Sequence, residues 1–284
     1  MLTLNHSDIP PQLTTVPNPP ERLYLEGAPL EALLERPRIA IVGSRKVTSY
    51  GRGCTEQIAA ALSRSGAVVV SGLALGVDSI AHQAALDANG TTIAVLPGPT
   101  SKIYPASHTQ LAKRIVEEGG SLLSEYASGS GSPRKHQFID RNRLISGLSD
   151  AVVIAEAAIG SGSLHTARLA REQGRPVYAV PGPITSPGHA GTNQLIADGH
   201  AQLITSPEAL VEALGLDKAT QSALPLGDTP EEQAILRLMQ TGLTASDALL
   251  AASQLSVMDF DQAITMLEIN GHIKNIGNGH WRLV

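Results

Sequence analysis

An α/β fold, a doubly wound and mostly parallel sheet followed by a small helical module, is what this sequence predicts, and three features predict it. Short apolar, β-branched runs alternate with helix-patterned segments from residue 38 to about 216. The runs are apolar throughout rather than at every second position, which marks strands covered on both faces. After a linker-like stretch, the pattern changes to three helical segments and a glycine-turn hairpin.

Residues 1–37 hold seven of the eighteen prolines and read as a Pro-rich N-terminal arm, extended or irregularly packed, rather than a domain. Strands are expected at 39–43, 67–71, 92–96, 121–125, 151–155 and 176–180. Between them the spacing predicts helices over about 50–65, 77–89, 106–118, 138–147, 163–173 and 191–198, with a last helix at 206–214 closing the domain near Leu216. Residues 38–216 are therefore expected to form a Rossmann-like domain. Residues 217–229 (D-K-A-T-Q-S-A-L-P-L-G-D-T) have linker composition. From 230 to 284, helices at 230–240, 245–252 and 258–270 precede the hairpin I-K-N-I, G-N-G, H-W-R-L-V, the layout of a winged-helix-like module. This module has six carboxylates and three fixed cations from Thr229 onward, a balance that repels a phosphate backbone and points to protein contact or regulation.

Net charge is -5, so any anion site must be local. Cys54 is the single cysteine, which rules out a disulfide framework or a thiolate metal cage and fits a reducing cytoplasm. The N-terminus lacks a basic segment followed by an apolar one, so no signal peptide is expected, and the most apolar run, Ala67 to Val77, is too short to span a bilayer. Nine scattered histidines show no H-E-x-x-H spacing and give a metal little support. No G-x-x-x-x-G-K-[ST] occurs, nor a G-x-G-x-x-G after the first strand, so neither an NTP-hydrolysing loop nor a nicotinamide cofactor is expected. No cofactor is expected.

Positive charge gathers between Pro133 and Asp150: Arg134, Lys135, Arg141 and Arg143 stand around Phe138 and Asp140. A ring between cations suits a single-stranded nucleic acid, with the ring for a base and the cations for phosphates. The alternative is an amphipathic helix with a solvated basic side and Phe138, Leu144 and Ile145 in the core. In an open parallel sheet, ligands collect at the carboxyl ends of the strands. Three loops there are glycine- or serine-rich: G-S-R-K at 43–46, S-G-L-A-L-G-V-D at 71–78, and E-A-A-I-G-S-G-S-L-H-T-A at 156–167. Their glycines either expose amides to an anion or merely permit tight turns. Asp78 is either a general base or a complement to its helix dipole.

Several stretches together resemble the DNA-processing protein A family (DprA, also called Smf). They are N-P-P-E-R-L-Y-L-E-G at 18–27, I-V-G-S-R-K-V-T-S-Y-G at 41–51, V-V-S-G-L-A-L-G-V-D-S-I-A-H at 69–82 and I-A-V-L-P-G-P-T-S-K-I-Y-P at 93–105. Further on come L-L-S-E-Y at 122–126, F-I-D-R-N-R-L-I-S-G-L-S-D-A at 138–151, S-G-S-L-H-T-A at 161–167, and A-V-P-G with G-T-N-Q-L-I at 179–182 and 191–196. The resemblance covers about 200 residues in order. It implies an extended Rossmann domain that binds single-stranded DNA, dimerises and delivers the DNA to the RecA recombinase in natural transformation, without catalysis.

Residue by residue, the resemblance implies a phosphate contact at Gly43, Ser44, Arg45 and Lys46, with Arg45 the main cation. It implies a second cation at Lys135 and base stacking at Phe138, with Arg141, Asn142 and Arg143 on the same segment. Gly72, Leu73, Ala74 and Gly76 would line the pocket, and Gly162 and Ser163 are further members. Many relatives carry an additional N-terminal helical domain, whereas about 37 residues precede the sheet here, so a function housed there is expected to be absent or supplied elsewhere. The loop G-P-T-S-K at 98–102 and His165 depart from the commonest family wording.

Two rivals remain. One is a nucleotide-binding hydrolase or sensor resembling the lysine-decarboxylase-like phosphoribohydrolases, whose P-G-G-x-G-T-x-x-E motif has no full counterpart here. The other is a transcription regulator reading duplex DNA through the C-terminal module.

Overall fold

The structure is a computed structural model describing residues 2–5, 8–216, 229–240, 243–277 and 279–283. The chain divides into two units, 1–220 and 221–284. The expected linker at 217–229 lies, apart from Thr229, outside the described residues.

The first unit carries strands β1 (Leu2–Leu4), β2 (Leu23–Gly27), β3 (Arg38–Gly43), β4 (Val68–Ser71), β5 (Thr92–Leu96), β6 (Ser121–Ser124), β7 (Ala151–Glu156), β8 (Val177–Ala179) and β9 (Gln202–Leu203). They form one sheet in the order β1-β2-β6-β5-β4-β3-β7-β8-β9. All neighbours from β6 to β9 are parallel, while β1 and β2 extend one edge antiparallel. The chain winds outward from β3 through β4, β5 and β6, then returns to place β7 on the other side of β3. The crevice at the carboxyl ends of β3 and β7 is therefore the topological switch point.

Side-chain alternation explains why the strands read as solid apolar runs. Ala40, Val42, Val68, Val70, Ile93, Val95, Val152 and Ile154 point to one face, while Ile39, Ile41, Val69, Ala151 and Val153 point to the other. The first face is covered by α1 (Pro11–Thr14), α2 (Leu30–Leu34), α6 (Lys135–Leu148), α7 (Gly162–Glu172) and α8 (Ala190–Ala197). The second is covered by α3 (Ser49–Arg64), α4 (Val77–Asp87), α5 (Thr109–Glu117) and α9 (Pro207–Ala213).

Residues 1–37 are part of this body rather than an arm. Leu13, Leu23, Leu25 and Leu30 are buried in the core of the first face, and β2 pairs with β6. Two of the prolines that suggested an irregular segment stand where a missing amide is harmless: Pro11 opens α1, and Pro29 immediately precedes α2. Gly147 lets α1 approach α6, since a Cβ there would lie 2.5 Å from the Val16 side chain. Helix α6 starts three residues earlier than its periodicity suggests because the Gln137 side chain accepts a hydrogen bond from the Arg134 amide.

The second unit contains α10 (Pro230–Gln240), α11 (Ser246–Ser253), α12 (Val257–Ile269) and the hairpin β10 (Ile273–Gly277) with β11 (His280–Leu283). Ile235, Leu249, Phe260, Ile264, Leu267 and Trp281 make its core. The Trp281 indole donates to Ser246 Oγ at 2.8 Å, tying the hairpin to α11. This is the winged-helix arrangement expected from the sequence.

Leu23→Ala should lower the unfolding free energy by about 2–5 kcal/mol, because it opens a cavity in a shared core. Urea unfolding followed by circular dichroism measures it. An unchanged midpoint would mean that the N-terminal segment is dispensable to the domain.

Candidate functional site

The switch point opens into a cleft of about 640 Å³. Gly43, Ser44, Arg45 and Lys46 form one wall, Phe138, Ile139, Arg141 and Asn142 a second, and Ile159 to Ser163 a third. Ala74 also lines it. Loops separated by up to 120 residues in the sequence thus converge at one end of the sheet.

The wall at 44–48 is held from behind by Glu156, the last residue of β7. Its backbone carbonyl accepts from the Ser44 amide at 2.7 Å. Its buried carboxylate accepts from the Thr48 hydroxyl at 2.6 Å and the Thr48 amide at 3.1 Å. His189 Nε2 lies 3.6 Å from the same carboxylate. Helix α3 comes this close because residue 51 is glycine, where a Cβ would sit 2.1 Å from Glu156 Oε2. From the other side, Gly76 (φ +81°) packs against the loop, its hypothetical Cβ 2.2 Å from the Ser44 carbonyl oxygen. Both ends of the arginine loop are therefore fixed, and Arg45 and Lys46 project from it exposed.

Arg45 places its guanidinium carbon 5.1 Å from the centroid of the Phe138 ring, within cation–π range. The Tyr104 ring meets Phe138 edge-on, with centroids 5.5 Å apart and planes at 72°. Phe138 is half-buried rather than sealed in the core, and Lys135 is exposed one turn before it on α6. Opposite, Ser161 caps α7, accepting from the Ser163 amide at 3.4 Å, and Gly162 opens the helix at the cleft.

Three sequence expectations change. Arg141 is 4% exposed and lies under the cleft as a brace, donating to the carbonyls of Gly72 and Val95. Burial lowers its pKa to about 10, against the opposing pull of Asp78, so it stays cationic but is not free for phosphate. Arg143 faces a different groove, chelating Glu125 at 2.6 and 2.7 Å and donating to the carbonyls of Pro17 and Asn18, because it lies 500° around the helix from Phe138 at 100° per residue. Leu73 is buried in the core, and Gly72 sits beneath the cleft, where a Cβ would lie 2.0 Å from Arg141 Nη1. Arg141, Leu73 and Gly72 shape the site from behind.

Asp78 resolves as a structural residue in the first turn of α4. It is buried and accepts from the Gly72 amide at 3.1 Å. Burial raises its pKa, and the charges of Arg141 and Arg45 oppose the shift. Tyr104, Ile159 and Thr48 are not singled out by the sequence, and Glu156 enters there only as the head of the third loop and a carboxylate for the hydrolase alternative. A carboxylate ending the otherwise apolar strand A-V-V-I-A-E was the signal available for Glu156.

On α4, His82 is fully buried. Its Nδ1 lies 2.6 Å from Thr92 Oγ1, which itself donates to the Val69 carbonyl, so the ring is the neutral donor at Nδ1. Burial, with Arg141 and His108 nearby, lowers its pKa to about 3. Among the described residues, no group of three or more His, Cys, Asp or Glu is placed to hold a metal ion, and no helix is long and apolar enough to cross a membrane.

Glu156→Ala should speed hydrogen exchange at the Thr48 amide by about tenfold or more. The Ser44 amide, bonded to the main chain of residue 156, should stay protected. The unfolded chain protonates His82 near pH 6.5 and the folded chain only near pH 3, so stability is lost as pH falls through that window. His82→Gln should flatten the slope by up to one proton relative to the parent, measured by urea titration at successive pH values.

Residues 1–215 match the family model described as DNA recombination-mediator protein A, and residues 217–279 match the DprA winged helix domain. The chain is 45% identical over 205 residues to protein Smf of Escherichia coli, covering 72% of this chain and 54% of that protein. It is 37% identical over 252 residues to a putative DNA processing protein DprA of Mycobacterium tuberculosis, covering 86% and 64% respectively. It therefore spans between half and two thirds of the length of these relatives. A solved structure of DNA processing protein A from Streptococcus pneumoniae is similar at a TM-score of 0.69 and 38% identity, over 74% of this chain and 73% of that one. The Helicobacter pylori protein, whose structure concerns its single-stranded DNA binding mode, is similar at a TM-score of 0.67 and 38% identity, over 76% and 96%. By the family match and by identity over most of its length, the chain belongs to the DNA recombination-mediator protein A family, known as DprA or Smf.

Proposed function

We propose that this protein binds single-stranded DNA without regard to sequence, protects incoming strands, and loads the RecA recombinase onto them during natural transformation and homologous recombination. It acts in the cytoplasm as a homodimer and catalyses no reaction. The observation that carries DNA binding is the Arg45–Phe138 pair in an open cleft at the switch point of an acidic chain. Support also comes from the Helicobacter pylori relative, whose single-stranded DNA binding mode is described. Recombinase loading and dimerisation rest on family membership.

An arriving phosphate draws the Arg45 guanidinium toward itself, and the ring face that the guanidinium covers becomes available to a base. Stacking requires an unpaired base and accepts any of the four, so the cleft discriminates strandedness rather than sequence. Arg45, Lys46 and Lys135 would neutralise about three phosphates, a small number per protomer. Tight binding then depends on a dimer engaging one strand twice, the second engagement being intramolecular. A nucleotide hydrolase would need a carboxylate free in the cleft. Asp78 is instead buried on the Gly72 amide and Glu156 on Thr48.

Phe138→Ala should weaken binding to a single-stranded oligonucleotide by about 1–3 kcal/mol. Arg45→Ala and Lys135→Ala should each weaken it and reduce the salt dependence, which for the parent is a slope of about -2 in log K against log salt. Duplex DNA should compete poorly in the same anisotropy assay. Equal competition, or hydrolysis of a nucleoside monophosphate that disappears in Asp78→Asn, would overturn this reading.

A further inference from the structure

The third helix of a winged-helix unit is the one that enters the DNA groove when such a unit binds duplex, and here its outer surface has the wrong chemistry for that task. Helix α12 turns Phe260, Ala263, Ile264 and Leu267 into the core. Its opposite side leaves Met258, Ile269 and Met266 in solvent, at 77%, 70% and 39% exposure. At 100° per residue, these three share one face along three turns with the exposed Gln262 and Thr265, so the face is apolar at Met258, Met266 and Ile269 and polar at the two positions between. Asp261 and Glu268 border this face on one side and Asp259 on the other, and the sequence of α12 contains no lysine or arginine.

We propose that this face docks an amphipathic, basic helical segment of a protein partner. The methionines supply an adaptable apolar surface, of the kind used where one helix is laid against another. The flanking carboxylates select lysine and arginine on the incoming helix and repel phosphate. They also disfavour a second copy of this chain docked face to face, because that contact would set carboxylates against carboxylates. Asp259 and Glu268 each accept one hydrogen bond, from the Ser256 hydroxyl and the Asn275 amide, which orients them without removing their charge. The partner segment would carry apolar residues at i, i+3 or i+4, and i+7, with cations beside them. This assignment is independent of the DNA-binding cleft.

The test uses the full chain and a synthetic helical peptide of about 18 residues with leucines at those positions and lysines elsewhere. Its counterpart replaces every lysine with glutamate. Saturable binding of the basic peptide is expected, weakened about tenfold or more in the double variant Met258→Ser, Ile269→Ser, with circular dichroism unchanged. Asp261→Lys should weaken it and remove part of its salt dependence. The proposal fails if the acidic peptide binds equally well or if the double variant binds like the parent. It also fails if the double variant loses self-association by sedimentation instead, or if a duplex oligonucleotide protects these side chains.

Discussion

The site depends on a single buried carboxylate. Glu156 ends the strand that sits beside β3, and through its carbonyl and its side chain it holds both ends of the five-residue loop that carries Arg45. Hydrogen bonds to a charged acceptor contribute about 1.5–3 kcal/mol each, and a buried donor left without one costs a comparable amount. A loop so anchored fixes the backbone from which the exposed Arg45 side chain projects. The same carboxylate requires glycine at 51, so the path of α3 is set by the residue that organises the cleft.

Cations around the cleft divide into two kinds. Arg141 is desolvated and committed to the carbonyls at the ends of β4 and β5, with Asp78 nearby on the Gly72 amide. Such buried charge fixes geometry more than it stabilises. Arg45 and Lys46 line the cleft and are exposed, and Lys135 is exposed one turn before Phe138 on α6. The buried group keeps Gly72, at the start of the glycine loop, in place. Arg45 lies over the half-buried Phe138 ring and covers part of its face.

Charge is distributed by unit as well as by cleft. The whole chain is acidic, whereas the cleft presents Arg45 and Lys46 exposed on one wall. The C-terminal unit is acidic over its third helix, which separates its chemistry from that of the sheet domain although both belong to a DNA-processing family.

Much of this was legible before any coordinates. Six core strands and the helices between them were read from apolar runs and 3.6-residue periodicity, because those signals lie in adjacent residues and sum over each element. The family likeness pointed to Arg45 and Phe138, and the fold brings them together. What sequence could not assign was the rotation of α6 about its own axis, which sends Phe138 to the cleft, Arg141 beneath it and Arg143 to another groove. It also could not show that residues 1–37 complete the sheet, or that Glu156 reaches back to Thr48. Those outcomes are decided by partners far away in the chain, 126 positions between Arg143 and Pro17, 108 between Thr48 and Glu156 and 69 between Arg141 and Gly72. Periodicity is a local property of the chain, whereas the choice between a solvated, a buried and an ion-paired arginine belongs to the packed interior.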